Sequence, residues 1–431
     1  MAAARLLAAV VDARTPLDGL TDNEHGHPQY RALETRDRAL VRAILSAALR
    51  HRRTIESLVA ARLEKPLPEG ATTLTHILHV AAAQLLFLDI PDSAAVDLAV
   101  SHAKSDPRSR RFAALVNALL RQIARRKETD LPTALAATRD APDWFVSRLN
   151  DAYGAAETAA ILAMHRVEAP YDFTVRHDPE HWARELGGFV LPTGSVRVER
   201  LDRAVPDLPG FAEGQWWVQD AAAALPARLL RDVAGKRVAD LCAAPGGKTA
   251  QLVAAGADVT AVDTSGNRLK RLRSNLSRLG LDAECVEADI RRYSPAAPFD
   301  AILLDAPCSS TGTVRRHPDV VWTKAPDDIA KLAGLQRTLL DRAWTCLRPG
   351  GTLVFSNCSL DPVEGEDLAA AFLADTTDAR LDPIRENELP GIDAFVTPSG
   401  ALRTTPAGLK LERPRLSGLD GFYAVRLRRE G

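Results

Sequence analysis

The sequence predicts an all-α bundle followed by an open α/β domain whose parallel sheet ends in a nucleoside-binding loop. Three observations carry this expectation. Residues 1 to about 135 repeat apolar side chains at three- and four-residue spacing, the period of one helix face. From Val233 onward short apolar runs alternate with helical patterns, the mark of a parallel sheet covered on both faces. At the first such junction the run Arg237 to Leu241 stops in Cys242-Ala243-Ala244-Pro245-Gly246-Gly247-Lys248-Thr249, a small-residue turn before a helix.

A chain of 431 residues has room for two or three domains with their own cores. Its 46% hydrophobic and 26% charged residues are globular proportions, without a low-complexity tract. A net charge of −1 announces no nucleic acid globally, so any basic surface must be local. The five cysteines are odd in number, include no CxxC pair and lie beyond residue 240. That pattern suits free thiols in a reducing cytoplasm, not a disulfide framework or a zinc site. The apolar stretch Ile77 to Ile90 contains His79, Gln84 and Asp89 and is too short to span a bilayer. The opening Leu6-Leu7-Ala8-Ala9-Val10-Val11 runs straight into Asp12 and Arg14, which reads as a first helix, not a signal peptide. A soluble cytoplasmic protein without membrane or metal is expected.

In the helical part, Leu40, Val41, Ile44, Leu45 and Ala48 form one stripe, and Leu74, Ile77, Leu78, Ala81, Leu85 and Leu86 a second. Phe112, Leu115, Val116, Leu119, Leu120 and Ile123 form a third. Breakers such as Pro66-Leu67-Pro68-Glu69-Gly70 and Pro91 separate them. His76 and His79 read as solvent-facing or satisfied core residues. Arg108, Arg110, Arg111, Arg121, Arg125, Arg126 and Lys127 make a run of seven basic residues with no acidic one, and Arg50, Arg52 and Arg53 form a second group. A solvated helix face and a phosphate-binding face for RNA both account for such a run. Gln84-Leu85-Leu86-Phe87-Leu88 and Val116-Asn117-Ala118-Leu119-Leu120-Arg121 resemble segments of the helical RNA-binding domain of the NusB antitermination type.

Residues 136–232 connect the halves. Ala141-Pro142-Asp143-Trp144-Phe145 starts a helix that leads to His165. Proline-broken sequence follows, with a strand pattern at Val196 to Leu201. Trp216 and Trp217 are expected as one core residue and one seam residue, with base stacking the alternative. An Ala-rich helix is expected over Ala221 to Arg231.

Beyond it, strands are expected at Arg237–Leu241, Asp258–Asp263, Ala283–Asp289, Phe299–Asp305, Gly351–Ser356 and Gly421–Arg428, with a long helix around Asp327–Leu347. A phosphate loop needs glycine five residues before Gly247-Lys248-Thr249, and that position is Cys242. A nucleoside without phosphates fits better, with Asp263 closing the next strand where ribose hydroxyls need an acidic partner. Asp289 and Asp305 close two further strands, so three carboxylates converge on one crevice beyond the strand ends. Each alone reads as a helix cap; three at equivalent positions do not.

Cys308 and Cys358 also stand past strand ends, whereas Cys285 and Cys346 read as inert core thiols. A helix starting near Pro362 is expected to acidify Cys358, with Glu364 and Glu366 opposing. Lys248, a cation in the first turn of a helix, opposes the dipole and favours a functional role. A nucleoside cofactor, a thiolate and a carboxyl group together suit methylation of pyrimidine C5. That carbon becomes nucleophilic only after a thiolate adds at C6, and a carboxyl at N3 offsets charge developing on the ring.

Asp240-Leu241-Cys242-Ala243-Ala244-Pro245-Gly246-Gly247-Lys248-Thr249 resembles the cofactor loop of the RNA cytosine-5 methyltransferases. Asp305-Ala306-Pro307-Cys308-Ser309-Ser310-Thr311-Gly312-Thr313, continuing through Arg315-Arg316-His317-Pro318-Asp319, resembles their active-site loop, and Cys358-Ser359 with Pro362 and Glu364 their second cysteine motif. With its helical module the chain is similar to the bacterial 16S ribosomal RNA cytosine-5 methyltransferases of the Sun/Fmu (RsmB) type. The resemblance implies a Rossmann-like, S-adenosylmethionine-dependent methyltransferase domain at 233–431, a mixed α/β connecting segment at 136–232 and an all-α NusB-like RNA-binding domain at 1–135. It implies Cys358 as nucleophile, Cys308 in adduct breakdown, Asp305 on the target base and cofactor border, and Lys248 near the reaction centre. The loop Cys242, Ala243, Ala244, Pro245, Gly246, Gly247 and Lys248 is implied to wrap the cofactor, with Asp263 on its ribose and Asp289 beside its adenine. The implied partner is RNA, either 16S rRNA or an early small-subunit assembly intermediate. Two positions depart from the family: Asn357 stands where Thr is usual and Gly365 where Asn is common. The same chemistry on tRNA, and a non-catalytic RNA-binding assembly factor, are the alternative readings.

Overall fold

The apolar stripes of the first third of the chain meet in one core in the computed structural model, which describes residues 1–431. Helices Ala2–Val11, Thr35–Arg50, Arg52–Ala60, Thr72–Phe87, Asp92–Ser105 and Ala113–Ala137 contribute Leu6, Leu45, Leu49, Ile55, Ile77, Ala95, Val116 and Leu120, all buried. Leu40 departs from its stripe and is 44% exposed. His76 and His79 are buried in this core, each with one ring nitrogen engaged. His76 Nε2 lies 2.9 Å from Asp12, and His79 Nδ1 lies 2.9 Å from the Thr75 carbonyl. Burial and the nearby Arg52 push the His79 pKa down to about 3, so its ring is neutral.

This compact unit comprises Met1–Asp151 and a later segment, Val314–Ala325. The segment is held by side chains and backbone alike. Asp319 Oδ2 accepts from the Leu17 N–H at 2.9 Å, Trp322 Nε1 donates to the Leu49 carbonyl at 3.0 Å, and Arg50 donates to the Arg315 carbonyl at 2.9 Å. The Arg315-Arg316-His317-Pro318-Asp319 continuation of the active-site loop therefore packs as part of the helical unit.

The second unit, Ala152–Thr313 with Pro326–Gly431, holds two sheets. The smaller comprises β1 (Tyr171–Val175), β2 (Phe189–Val190), β3 (Val196–Val198) and β4 (Trp216–Val218), antiparallel in the order β2-β3-β1-β4. Both tryptophans of β4 are buried. Trp216 packs edge-on to Phe173 and donates to the Pro209 carbonyl at 2.8 Å, and Trp217 donates to Gln219 at 2.8 Å. Neither is a stacking platform for a base. The helix expected over Ala221 to Arg231 shrinks to Leu225–Arg228. The Ala221 N–H donates to Asp172 and the Ala222 N–H to Asp220, and turns occupy residues 221–224.

The larger sheet comprises β5 (Arg237–Leu241), β6 (Asp258–Asp263), β7 (Glu284–Glu287), β8 (Phe299–Asp305), β9 (Leu347–Asn357), β10 (Ala379–Leu381), β11 (Leu402–Thr404) and β12 (Phe422–Arg429). Strands β7-β6-β5-β8-β9 are parallel, β12 pairs antiparallel with β9, and β10 and β11 pair with β12. Burial alternates along the central strands: Ile302 and Leu304 of β8 enter one core, Ala301 and Leu303 the other. Successive crossovers leave β5 toward β6 on one side and toward β8 on the other. The ends of β5 and β8 thus flank the switch point where open sheets bind ligands.

Candidate active site

Beyond β5 the chain turns through Cys242 (φ 63°) and Gly246 (φ 102°) into helix Gly247–Ala254. Glycine is required at 246, because a Cβ there also meets Leu272 at 2.8 Å. Asp240, fully buried under the turn, accepts from Thr249 Oγ1 at 2.6 Å and so ties the strand to the helix. Burial pushes its carboxyl up to about 7.

Asp263 at the end of β6 accepts from the Ala244 N–H at 3.2 Å and from the Ser265 N–H at 3.0 Å. One oxygen serves each bond, and the Arg268 guanidinium also pairs with Oδ2 at 3.5 Å, which leaves Oδ1 a lone pair for a further donor. Arg268 donates to the Ala244 carbonyl at 2.6 Å and braces the same loop. Asp289, expected to close a strand, instead lies past the end of β7 at Glu287; it caps the short turn Ile290–Arg292 and pairs with the Arg291 guanidinium at 2.6 Å. Asp305 closes β8: Lys248 Nζ lies 2.7 Å from one oxygen, and Ser356 Oγ donates to the other at 2.9 Å.

These groups enclose a cavity of about 380 Å³ whose walls include Cys242, Asp263, Asp289, Asp305, Cys308 and Cys358. Its size is that of a small-molecule site, about 300–1,000 Å³. Ala244 also lines it, whereas Ala243, Pro245, Gly246, Gly247 and Lys248 are not among its lining residues and complete the turn.

The two cysteines meet at one side. Their Sγ atoms are 3.4 Å apart, because β8 and β9 are neighbours with Asp305 opposite Ser356. Donation from the Cys308 thiol lowers the Cys358 pKa, while the same hydrogen bond, with partial burial, pushes that of the half-buried Cys308 well up. This corrects the expected source of acidity. Pro362–Glu364 is only a short 3₁₀ turn, and the α-helix begins at Glu366. Nor is Glu364 arrayed against the thiolate; it points inward and is fully buried. Its Oε1 accepts from the Ser309 N–H and Gln336 Nε2, each at 2.9 Å, and its Oε2 accepts from Ser309 Oγ and from Ser359 Oγ. The residue after each cysteine is thus bound to one carboxylate. Asn357 completes the clamp: its Oδ1 accepts from the Ser359 N–H at 3.0 Å and its Nδ2 donates to the Glu364 carbonyl at 2.7 Å. Cys346 is buried as expected, but Cys285 lies half-buried on edge strand β7, where burial raises its pKa.

Sequence reasoning passed over Ser309, Gln336 and Ser356, and gave Glu364 the wrong part. Glu364 lies within the second cysteine motif, so its position was a signal. Gln336 is one polar residue in a long amphipathic helix and carries none.

The sequence matches the family described as 16S rRNA methyltransferase RsmB/F over residues 227–428 and the NusB family over residues 1–125. It is 39% identical over 389 residues to ribosomal RNA small subunit methyltransferase B of Vibrio cholerae serotype O1, a match covering 84% of this chain and 88% of that one. Among solved structures, PH0851 covers 99% of both chains with a TM-score of 0.71 at 23% identity, a likeness of fold. A methyltransferase homolog from Pyrococcus horikoshii is 29% identical with a TM-score of 0.54, covering 66% of this chain and 94% of its own.

Proposed function

We propose that this chain, which belongs to the 16S rRNA methyltransferase RsmB/F family, methylates C5 of one cytosine of 16S rRNA through a covalent Cys358–C6 adduct. It is an S-adenosylmethionine-dependent methyltransferase acting on RNA. The observation that carries the finer reading is the pair of thiols 3.4 Å apart on the wall of the cavity that Asp305 also lines.

S-adenosylmethionine supplies the methyl group. The Cys358 thiolate bonds C6 and moves the C5–C6 π pair toward C5, which then accepts the methyl. Asp305, positioned by Lys248 and Ser356, takes up a proton as the base docks, donates it as a hydrogen bond to N3 and so offsets the charge that develops there. Loss of the C5 proton to a base restores the double bond, and the C6–S bond breaks with its electron pair returning to Cys358. Cys308, protonated and beside the leaving sulfur, assists that last step. On the cofactor side, the Cys242–Lys248 turn wraps the ligand, the remaining lone pair on Oδ1 of Asp263 suits a ribose hydroxyl, and Asp289 borders the adenine.

Residues 1–135 are the RNA-binding domain in this reading, 136–232 the connecting segment and 233–431 the catalytic domain. Its support is the exposed row Arg108, Arg110, Arg111, Arg121, Arg125 and Arg126. Lys127, half-buried and paired with Asp92 at 2.9 Å, is not part of that row, and Arg126 at its end pairs with Asp130 at 3.1 Å. The substrate is 16S rRNA or an early small-subunit assembly intermediate in the cytoplasm. The test is incubation with unmodified 16S RNA and S-adenosylmethionine followed by bisulfite sequencing. One protected cytosine is expected; protection only in a tRNA pool run alongside overturns the substrate, and none in either overturns the reaction.

A further inference from the structure

Away from the catalytic crevice, the second unit carries a cleft of about 660 Å³ bordered by Gly188, Glu199, Arg200, Arg413 and Arg415. Arg200 follows β3, and the other two arginines sit in the loop before β12; all three are exposed. Glu199 is the one carboxylate on the cleft, and Arg413 engages it at 2.8 Å. The cleft is therefore cationic in a protein whose net charge is close to zero.

The cleft is also built. Arg197 of β3 is buried, at 1% exposure. One end of its guanidinium donates to the carbonyls of Leu416 and Gly418, both at 2.7 Å, and the other forks onto Asp172 at 2.7 and 2.6 Å. A buried ion pair is a poor source of net stability because both charges must be desolvated. What this one does is lock the loop carrying Arg413 and Arg415 against the strand that precedes Arg200. Gly188 closes the other side, since a Cβ there would lie 2.2 Å from the Arg197 carbonyl oxygen. The three guanidiniums are thus presented from fixed backbones, and planar forks of this kind match phosphate oxygens in pairs.

We propose that this cleft binds the sugar–phosphate backbone of the RNA substrate, as a second contact separate from the helical domain and from the base-reacting crevice. It rests on RNA being the substrate, not on the cysteine chemistry. The contact carries no base specificity and sets affinity and register.

The test uses the full chain with Arg200→Ala and Arg415→Ala together, titrated against unmodified 16S RNA across salt concentrations. Affinity is expected to fall about tenfold near physiological salt, and the slope of log K against log salt to become shallower by about 1.5–2. S-adenosylmethionine binding and kcat at saturating RNA stay unchanged, and the double lysine variant recovers most of the slope. The double glutamine variant gives the same reading if the alanine protein folds poorly. Unchanged affinity and slope in a variant with parental cofactor binding and thermal unfolding overturns the proposal. Parent protein that binds RNA with a steep salt slope but methylates no cytosine overturns the reaction and leaves the cleft standing.

Discussion

Cys308 and Cys358, fifty residues apart in sequence, bring their sulfurs to 3.4 Å because each follows the end of one of two paired parallel strands. At that distance one thiol donates to the other, an arrangement that lowers the Cys358 pKa and raises that of Cys308.

Substitution separates the two roles. Cys358→Ala is expected to abolish both methylation and any protein–RNA adduct. Cys308→Ala is expected to permit attack but to accumulate an adduct that survives denaturing electrophoresis with labelled RNA. Full methylation by the first variant, or normal turnover without adduct by the second, refutes the respective assignment.

Glu364 holds the residues that follow both cysteines, so Glu364→Gln replaces an acceptor by a donor facing two serine hydroxyls. Loss of charge-assisted bonds in a buried site should lower the unfolding free energy by about 2–3 kcal/mol, read by urea denaturation. In protein still folded, kcat should fall with little change in S-adenosylmethionine affinity, because the clamp touches the cysteine side of the cavity. A variant with parental kcat would show that the clamp has no part in placing the sulfurs.

Asp263→Ala removes the carboxylate proposed to hold the ribose. Weakening of S-adenosylmethionine binding by about 10–100-fold is expected, the worth of charge-assisted hydrogen bonds, with RNA affinity unchanged. Isothermal titration of both ligands checks it, and parental cofactor affinity would remove Asp263 from the site.

Asp240 carries the pH dependence. Burial raises its folded pKa from 3.8 to about 7, so the folded state binds the proton more tightly than the unfolded chain. Its contribution is fully present below about pH 4 and is lost as pH rises toward 7, a difference of up to about 4 kcal/mol. Asp240→Asn keeps an acceptor for Thr249 and should flatten that part of the stability profile, measured by denaturation between pH 4 and 8. An identical profile in both proteins refutes the assignment.

What the sequence determined by itself was local. Periodicity of 3.6 marked the helices, apolar runs marked β5, β6, β8 and β12, and the position of an aspartate or cysteine after each run marked the ligand edge. These signals are legible because backbone hydrogen bonding and side-chain direction repeat over a few residues. They failed at Ala221, where the backbone is held by Asp172, 49 residues away in sequence, and the chain turns before the short helix Leu225–Arg228 begins. Only the tertiary structure decided which groups meet. The order β5-β8-β9 and its register place Lys248 on Asp305 and the two sulfurs side by side, and Glu364 reaches Ser309 across 55 residues. Packing likewise drew Val314–Ala325 out of the active-site loop into the helical unit, where Trp322 and Asp319 find buried partners. Such pairings depend on strand order and burial, and no local window of residues records either.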